Sequence, residues 1–394
     1  MDSNLLRPIL IQITIWILMS GTRLAAPLLA LKQGYGPGTV GLLVALFALS
    51  PVFLALPAGK FMDRRGVKLP VAVMSIAAGV GVCIAAAFPT LPSLALAALL
   101  AGASAGVVMI GMQRHVGQAA RNPDELKKAF SWLAIAPAVG NFAGAFGAGM
   151  LIDHAGGEAG SIGNYQITFL ALGSSVIACC WLLHGLVALP VETHESETAE
   201  GDGKQPSLLR SKDFRLLLLA NWLQGMSWDL HNLGVPLLGH ERGLSASTIG
   251  ILMGLFAVSA AAVRVVLPAL AKRADERDII TCSTVATALL LGLYPFLSSA
   301  LTMGICSCLL GLAMGAVQPM VMSLLHRGTP ASRRGEALGL RTMTVSASSV
   351  VFPMMLGALG AAFGMGSAFW IVGGALAAGS PAMRKLEPGR GESV

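Results

Sequence analysis

Charge is what this chain has least of. Asp, Glu, Lys and Arg together make up 12% of its 394 residues, about half of the roughly 25% with which soluble domains coat their surfaces. A length that would otherwise serve two or three water-soluble domains therefore cannot be read that way. Aromatic residues are scarce at 6%, and no basic patch interleaves with them, so the net charge of +7 does not indicate a nucleic-acid partner. The six cysteines, Cys83, Cys179, Cys180, Cys282, Cys306 and Cys308, lie inside hydrophobic runs without CxxC spacing. That placement excludes a disulfide framework and a zinc site and leaves them as small apolar packing residues. The chain carries no phosphate-binding P-loop, HExxH pair or serine elbow, which excludes the enzyme classes that need them and ATP-driven pumping. No cofactor is implied, and the hydrophobic runs hold no carboxylate or cysteine cluster suited to a metal.

What the chain has is hydrophobic sequence, 55% of all residues, in runs that recur at the length of about 20 residues needed to cross a bilayer. Turn and charge signals divide it into twelve expected spans: 8–31, 38–58, 69–88, 91–112, 129–150, 165–189, 214–238, 246–270, 279–297, 300–322, 337–360 and 365–382. The first run, from Pro8 to Leu31, is too long for the core of a cleaved signal and is expected to be a span. Of the 27 lysines and arginines, only Lys32 and Arg242 fall in the loops after odd-numbered spans, and only Arg23, Arg264 and Arg341 fall within spans. The remainder lie on the side of the two termini, which the positive-inside tendency places in the cytoplasm against the anionic inner leaflet of the plasma membrane. The longest polar stretch, 191–212, divides the spans six and six, giving an expected N-terminal bundle over 1–190, a cytoplasmic linker, and a C-terminal bundle over 213–394.

The two halves repeat. At an offset of 209 residues Pro27-Leu28-Leu29 falls on Pro236-Leu237-Leu238, Gly34 on Gly243, Gly41 on Gly250, Phe47 on Phe256, Gly102 on Gly311 and Gly106 on Gly315. Parallel repeats of this size suit a transporter whose site lies at the midplane between its halves.

Between the second and third spans the chain reads Gly59-Lys-Phe-Met-Asp63-Arg64-Arg65-Gly66-Val67-Lys68. This resembles the signature of the major facilitator superfamily, G-x-x-x-D-R-x-G-x-[RK]. The resemblance implies an all-α integral membrane protein of twelve transmembrane helices in two pseudo-symmetric six-helix bundles, with Gly59, Asp63, Arg64, Gly66 and Lys68 forming a gating loop. The matching loop after span 8 has Lys272 where the repeat would place an acid. Span 5 contains Gly140-Asn-Phe-Ala-Gly144-Ala145-Phe-Gly147-Ala148-Gly149, similar to the glycine-rich fifth helix of the family's exporters, with Ala145 in place of proline. Its small residues also suit plain helix packing. The arginine and glutamine that those exporters carry in span 4 would fall near Ala98 and Ala101.

Ionisable groups within hydrocarbon cost roughly 2.5–3.5 kcal/mol on insertion scales, so the few present mark candidate sites. At 100° per residue, span 7 places Asn221, Gln224, Trp228, Asp229, His231 and Asn232 within an arc of about 160°. Span 1 places Gln12, Trp16, Met19, Ser20, Arg23 and Pro27 within about 100°. The offset aligns Gln12 with Asn221, Ser20 with Asp229 and Arg23 with Asn232, so the two stripes are expected to face each other at matched depth. Arg23 and Asp229 are the leading pair: either Arg23 engages an anionic group or gates through Asp229, or the two form a fixed ion pair holding the bundles in register. Asp229 and His231 are candidates to carry a coupling proton. Trp16 and Trp228 either stack on a substrate ring or pack the bundle. Gln113, Gln318, Met109, Met112, Met314 and Met320 are weaker candidates, since methionine is a generic gap-filler. Arg264 and Arg341 lie near span ends and are expected to snorkel to the surface, the alternative being a gate or an anion entry path.

Together these features predict a monomeric secondary transporter of a small molecule working by alternating access, with proton-coupled export of amphipathic compounds as the first expectation. Uptake or facilitated movement of an organic anion is the close alternative. A membrane assembly factor or sensor that does not transport is the remote one. The expected partners are the substrate, a proton and the lipid bilayer, with no nucleic acid.

Overall fold

A computed structural model describes residues 3–119, 132–133, 135–186, 208–270, 275–329 and 334–385, and among these it contains twelve α-helices and no strand. They are α1 (Ser3–Lys32), α2 (Pro37–Arg65), α3 (Lys68–Ala87), α4 (Leu91–Ala119), α5 (Ala136–His154), α6 (Ile162–His184), α7 (Lys212–Glu241), α8 (Ala246–Leu270), α9 (Glu276–Leu293), α10 (Ala300–Gly328), α11 (Arg334–Phe363) and α12 (Met365–Met383). Several outrun their expected spans at the charged ends, because a helix continues into the headgroup region after its apolar stretch stops. The helix described for span 5 runs from Ala136 to His154, and residues 120–131 and 134 lie outside the described residues. Span 9 closes early, where Pro295 turns the chain into a 3₁₀ turn over Tyr294–Phe296. The expected linker lies outside the described residues up to residue 207.

Eight helices contain a window long and apolar enough to cross a membrane by length and composition, namely α1–α4, α6 and α8–α10. Of the other four, α7 carries the polar stripe, α5 and α12 are rich in glycine, and α11 is apolar over Ala347–Phe363 among the residues whose side chains are described.

Local signals fix the ends. Ser161, Ser211 and Ser299 cap α6, α7 and α10, each hydroxyl accepting from the backbone N–H three residues on. Helices α1 and α7 end alike: Tyr35 N–H donates to the Ala30 carbonyl (3.0 Å) and Leu244 N–H to that of Gly239 (2.9 Å). Gly34 (φ +86°) and Gly243 (φ +69°) occupy the left-handed position such an ending requires. These are repeat-related residues, so the offset of 209 is visible in backbone geometry.

Within the first half α1 packs on α4, α5 and α6, while α3 packs on α4 and α6; in the second half α7 packs on α10, α11 and α12, and α9 on α10 and α12. The halves meet along two main seams, α2 with α11 and α5 with α8, which exchange under the repeat. Both seams are tight at the ends remote from the termini. A Cβ added to Gly41 would run into the Pro353 carbonyl oxygen, and one on Gly250 would lie 2.5 Å from the Ala145 carbonyl oxygen. Gly149 is pressed in the same way on Ala246 and Ser247. The α5–α8 seam carries one further clasp: Asp153 accepts from the backbone N–H groups of Ala246 (3.2 Å) and Ser247 (2.7 Å) at the start of α8. A carboxylate there satisfies donors left free at a helix N-terminus and lies favourably in its dipole.

Candidate functional site

The polar stripes of α1 and α7 meet where the halves face each other, and a cavity lies between the bundles, its first lobe near mid-helix and its second extending toward the termini. One lobe, of about 200 Å³, is lined by Trp16, Ser20 and Arg23 of α1, Asn141 of α5, Trp228 and Asn232 of α7, and Arg264 of α8. A second lobe of about 150 Å³ shares Trp228 and Arg264 and adds Asn221, Gln224 and Asp229 of α7, Gln318 of α10, and Arg341 and Ser349 of α11. Toward the end remote from the termini the two glycine seams close the space.

Arg23 and Asp229 face each other with Nη2 4.0 Å from Oδ1, beyond hydrogen-bond length. The pair is close enough to attract but not locked. Asp229 is 5% exposed, and its second oxygen, Oδ2, has no protein partner.

That is part of a pattern. Among the described residues, eight buried side-chain polar atoms lack a hydrogen-bond partner: Gln12 Oε1, Trp16 Nε1, Arg23 Nε, Ser104 Oγ, Asn221 Nδ2, Gln224 Nε2, Asp229 Oδ2 and His231 Nδ1. All but Ser104 belong to the two stripes. Buried polar atoms are normally paired, and each exception calls for an explanation. For Trp16, Arg23, Asn221, Gln224 and Asp229, which line it, a transport cavity supplies one, because its polar atoms are set to meet a ligand or water rather than one another.

The structure brings Arg23, Trp16, Asn221, Gln224, Trp228, Asp229 and Asn232 to the cavity. Asn232 also donates to the Trp228 carbonyl of its own helix (3.1 Å). It does not bring His231 there. That ring is 0% exposed, stacks on Phe256 at 3.9 Å between centroids, and lies 3.3 Å from the Ser307 hydroxyl, which contacts the Tyr294 hydroxyl in turn (2.9 Å). It is built into the core of the second bundle. Gln12 is 2% exposed and outside the cavity lining.

Of the gating loop, Gly66 turns the chain with φ +76°, its N–H bonded to the Met62 carbonyl (2.9 Å), and Lys68 opens α3. The side chains of Asp63 and Arg64, and Gly59, lie outside the described residues although their backbone is helical. The glycine-rich stretch of α5 packs on both neighbours: Gly140 and Gly144 press on α1, and Gly149 on α8.

Two residues expected either to snorkel or to form a gate or anion path line the cavity. Arg264 lines both lobes and reaches Gln318 Oε1 (3.4 Å). Arg341 lines the second lobe and donates from Nε to Asn221 Oδ1 (3.2 Å). This placement accords with the alternative of a gate or anion entry path: both guanidinium groups line the space between the halves, Arg264 exposed to it and Arg341 half-buried. Asn141 and Ser349 were missed altogether. Asn141 sits within the glycine-rich run, where it is the polar interruption, and its carbonyl accepts from Ser20 Oγ (2.9 Å).

Comparison with known proteins accords with this geometry. The sequence profile of the Major Facilitator Superfamily matches residues 9–217 and again 217–392, one match per half. The chain belongs to that superfamily. It is therefore a multi-pass membrane protein of a transporter family, not an enzyme family. It is 28% identical over 331 residues to the class D tetracycline resistance protein of Salmonella ordonez, covering 80% of this chain and 78% of that one. Its fold is that of the nucleoside transporter NupG (TM-score 0.78, 13% identity, 98% of this chain and 99% of the other). It also matches a bacterial homologue of the human lysosomal transporter Spinster, solved inward-facing and occupied (TM-score 0.76, 14% identity, 96% and 95%).

Proposed function

We propose that this superfamily member is a secondary active transporter that exports amphipathic compounds from the cytoplasm in exchange for protons. The observation that carries the reading is Asp229, a buried acid on the cavity wall held 4.0 Å from Arg23 with one oxygen unpartnered. An acid in that setting can gain or lose a proton as the cavity alternates between the two sides of the membrane, and Arg23 changes its hold on the carboxyl between the two states. With the termini in the cytoplasm, the described conformation faces inward, ready to load substrate beside Trp16 and Trp228. Similarity to a protein named for tetracycline resistance supports outward movement of a ring-bearing compound. His231 is set aside as a proton carrier, since it is packed into the second bundle.

The test uses everted vesicles with an inside-acid gradient reported by a pH-sensitive dye, to which ethidium, tetracycline and 2-naphthoate are added in turn. Dye recovery in the wild type that disappears in Asp229→Asn supports the proposal. Transport that proceeds unchanged in Asp229→Asn refutes Asp229 as the carrier. A second reading, uptake or facilitated movement of an organic anion, is favoured by the arginines of the cavity, three against one acid. It would take over if only 2-naphthoate moves, with dependence on Arg23 and none on Asp229.

A further inference from the structure

The second lobe of the cavity has an excess of donors. Among the described residues Arg264 and Arg341 meet the neutral amides of Gln318 and Asn221, and no carboxylate lies within ion-pair distance of either. The Arg341 bond also fixes the orientation of Asn221. A guanidinium donor can only face the amide oxygen, so the amide nitrogen is the free end. That nitrogen and Gln224 Nε2 are unpartnered on side chains 7% and 8% exposed, and both residues line the same lobe. The acid of this lobe, Asp229, faces Arg23.

Arg264 is exposed to the opening and Arg341 half-buried, and neither has a counter-ion among the described residues, so both charges are available to an anion entering the lobe; two buried N–H donors without acceptors add to the demand. One kind of ligand meets all four at once: a planar anion with several acceptor oxygens, for which the arginine fork is shaped. Trp228 forms part of the wall of both lobes and is held edge-on by Phe256 at 4.7 Å between ring centroids, so it offers an aromatic surface beside the anion position.

We propose that Arg264, Arg341, Asn221 and Gln224 form a carboxylate-binding subsite, and that the compounds carried are aromatic or other ring-bearing acids anchored there by their anionic group. The proposal rests on the cavity being the substrate path, and it holds for either direction of movement. Arg264 and Arg341 read the anion, Trp228 reads the ring, and Asp229 with Arg23 remains free to handle the proton.

The test is equilibrium binding, which needs no gradient and so can fail while the transport reading stands. Purified protein in lipid nanodiscs is titrated with 2-naphthoate and with 2-naphthamide, a neutral analogue of the same shape, following tryptophan quenching and thermal protection. Charge-assisted bonds predict that the acid binds about 10- to 100-fold more tightly than the amide. Arg264→Gln and Arg341→Gln should each remove most of that preference while leaving 2-naphthamide affinity in place, which also reports that the variants are folded. Arg264→Lys should restore part of it, and Arg215→Gln, which removes a charge from an exposed position, should change nothing. Equal binding of acid and amide, binding of neither, or an undiminished preference in both glutamine variants would overturn the proposal.

Discussion

Gly250→Ala is expected to unbalance the alternation between states. The added Cβ would lie 2.5 Å from the Ala145 carbonyl oxygen, where ordinary contact begins near 3.4 Å, so α8 must retreat from α5 by the difference of 0.9 Å. The obstacle is helix backbone, which has no rotamer into which to escape. Overpacking of this kind costs about 1–3 kcal/mol. Alanine also stabilises a helix by up to about 1 kcal/mol over glycine, but that gain accrues to every conformation in which α8 is helical and leaves the balance between them untouched. The clash exists only while the seam is shut. The whole cost should therefore appear as a shift of about 5- to 150-fold toward conformations open at the end remote from the termini. Electron–electron distance measurements between nitroxide labels at Glu158 and Glu241, both exposed on that end, would show the longer-distance population growing. Gly41→Ala should act in the same direction through Pro353. Gly38→Ala, whose Cβ meets nothing within 4 Å, should not. Distance distributions identical to wild type in Gly250→Ala, with the protein intact, would refute the reasoning.

Removing one member of the central ion pair should harm more than removing both. Arg23→Gln leaves a buried carboxylate without its cation and is expected to lower stability by up to about 3–5 kcal/mol, while Arg23→Gln combined with Asp229→Asn recovers most of it, as read by thermal unfolding in detergent. His231→Phe should preserve transport and its pH response, since the ring's neighbours are Phe256 and Ser307; loss of proton-coupled signal in a folded variant would return the proton to the histidine. Asp153→Ala removes a cap worth about 1 kcal/mol and should shift the label distances in the same direction as Gly250→Ala, by about fivefold.

How far the sequence reveals this arrangement depends on what periodicity can carry. The stripes of α1 and α7 and their matched depth follow from helical spacing and from the offset of 209, and the structure sets them face to face. The wheel of α7 could not divide its own polar arc. Asp229 and His231 sit about 160° apart on it, at opposite edges, and only the positions of neighbouring helices assign one edge to the cavity and the other to the bundle interior. Arg264 and Arg341 stay open between two readings for a related reason. Their distance along the helix from the membrane surface is legible, while the presence of a polar space on one side is a property of the assembled halves. Asn141 carries no signal of its own, because a single amide in a glycine-rich helix is equally at home in a packing interface.

The pairing of the two seams has a consequence for how opposite charges come to stand at the centre. Under the repeat, α2–α11 and α5–α8 are one contact used twice, the arrangement of a two-fold dimer made from a single kind of subunit. In such a dimer every residue near the axis meets its own copy, so an arginine would confront an arginine and an acid an acid. Joining the halves in one polypeptide releases each position from its twin. Ser20 can remain a serine while its counterpart is Asp229, and Asn232 can remain an amide while its counterpart is Arg23. The attraction between Arg23 and Asp229 is therefore a product of broken symmetry, available to a tandem repeat and denied to the homodimer that it resembles.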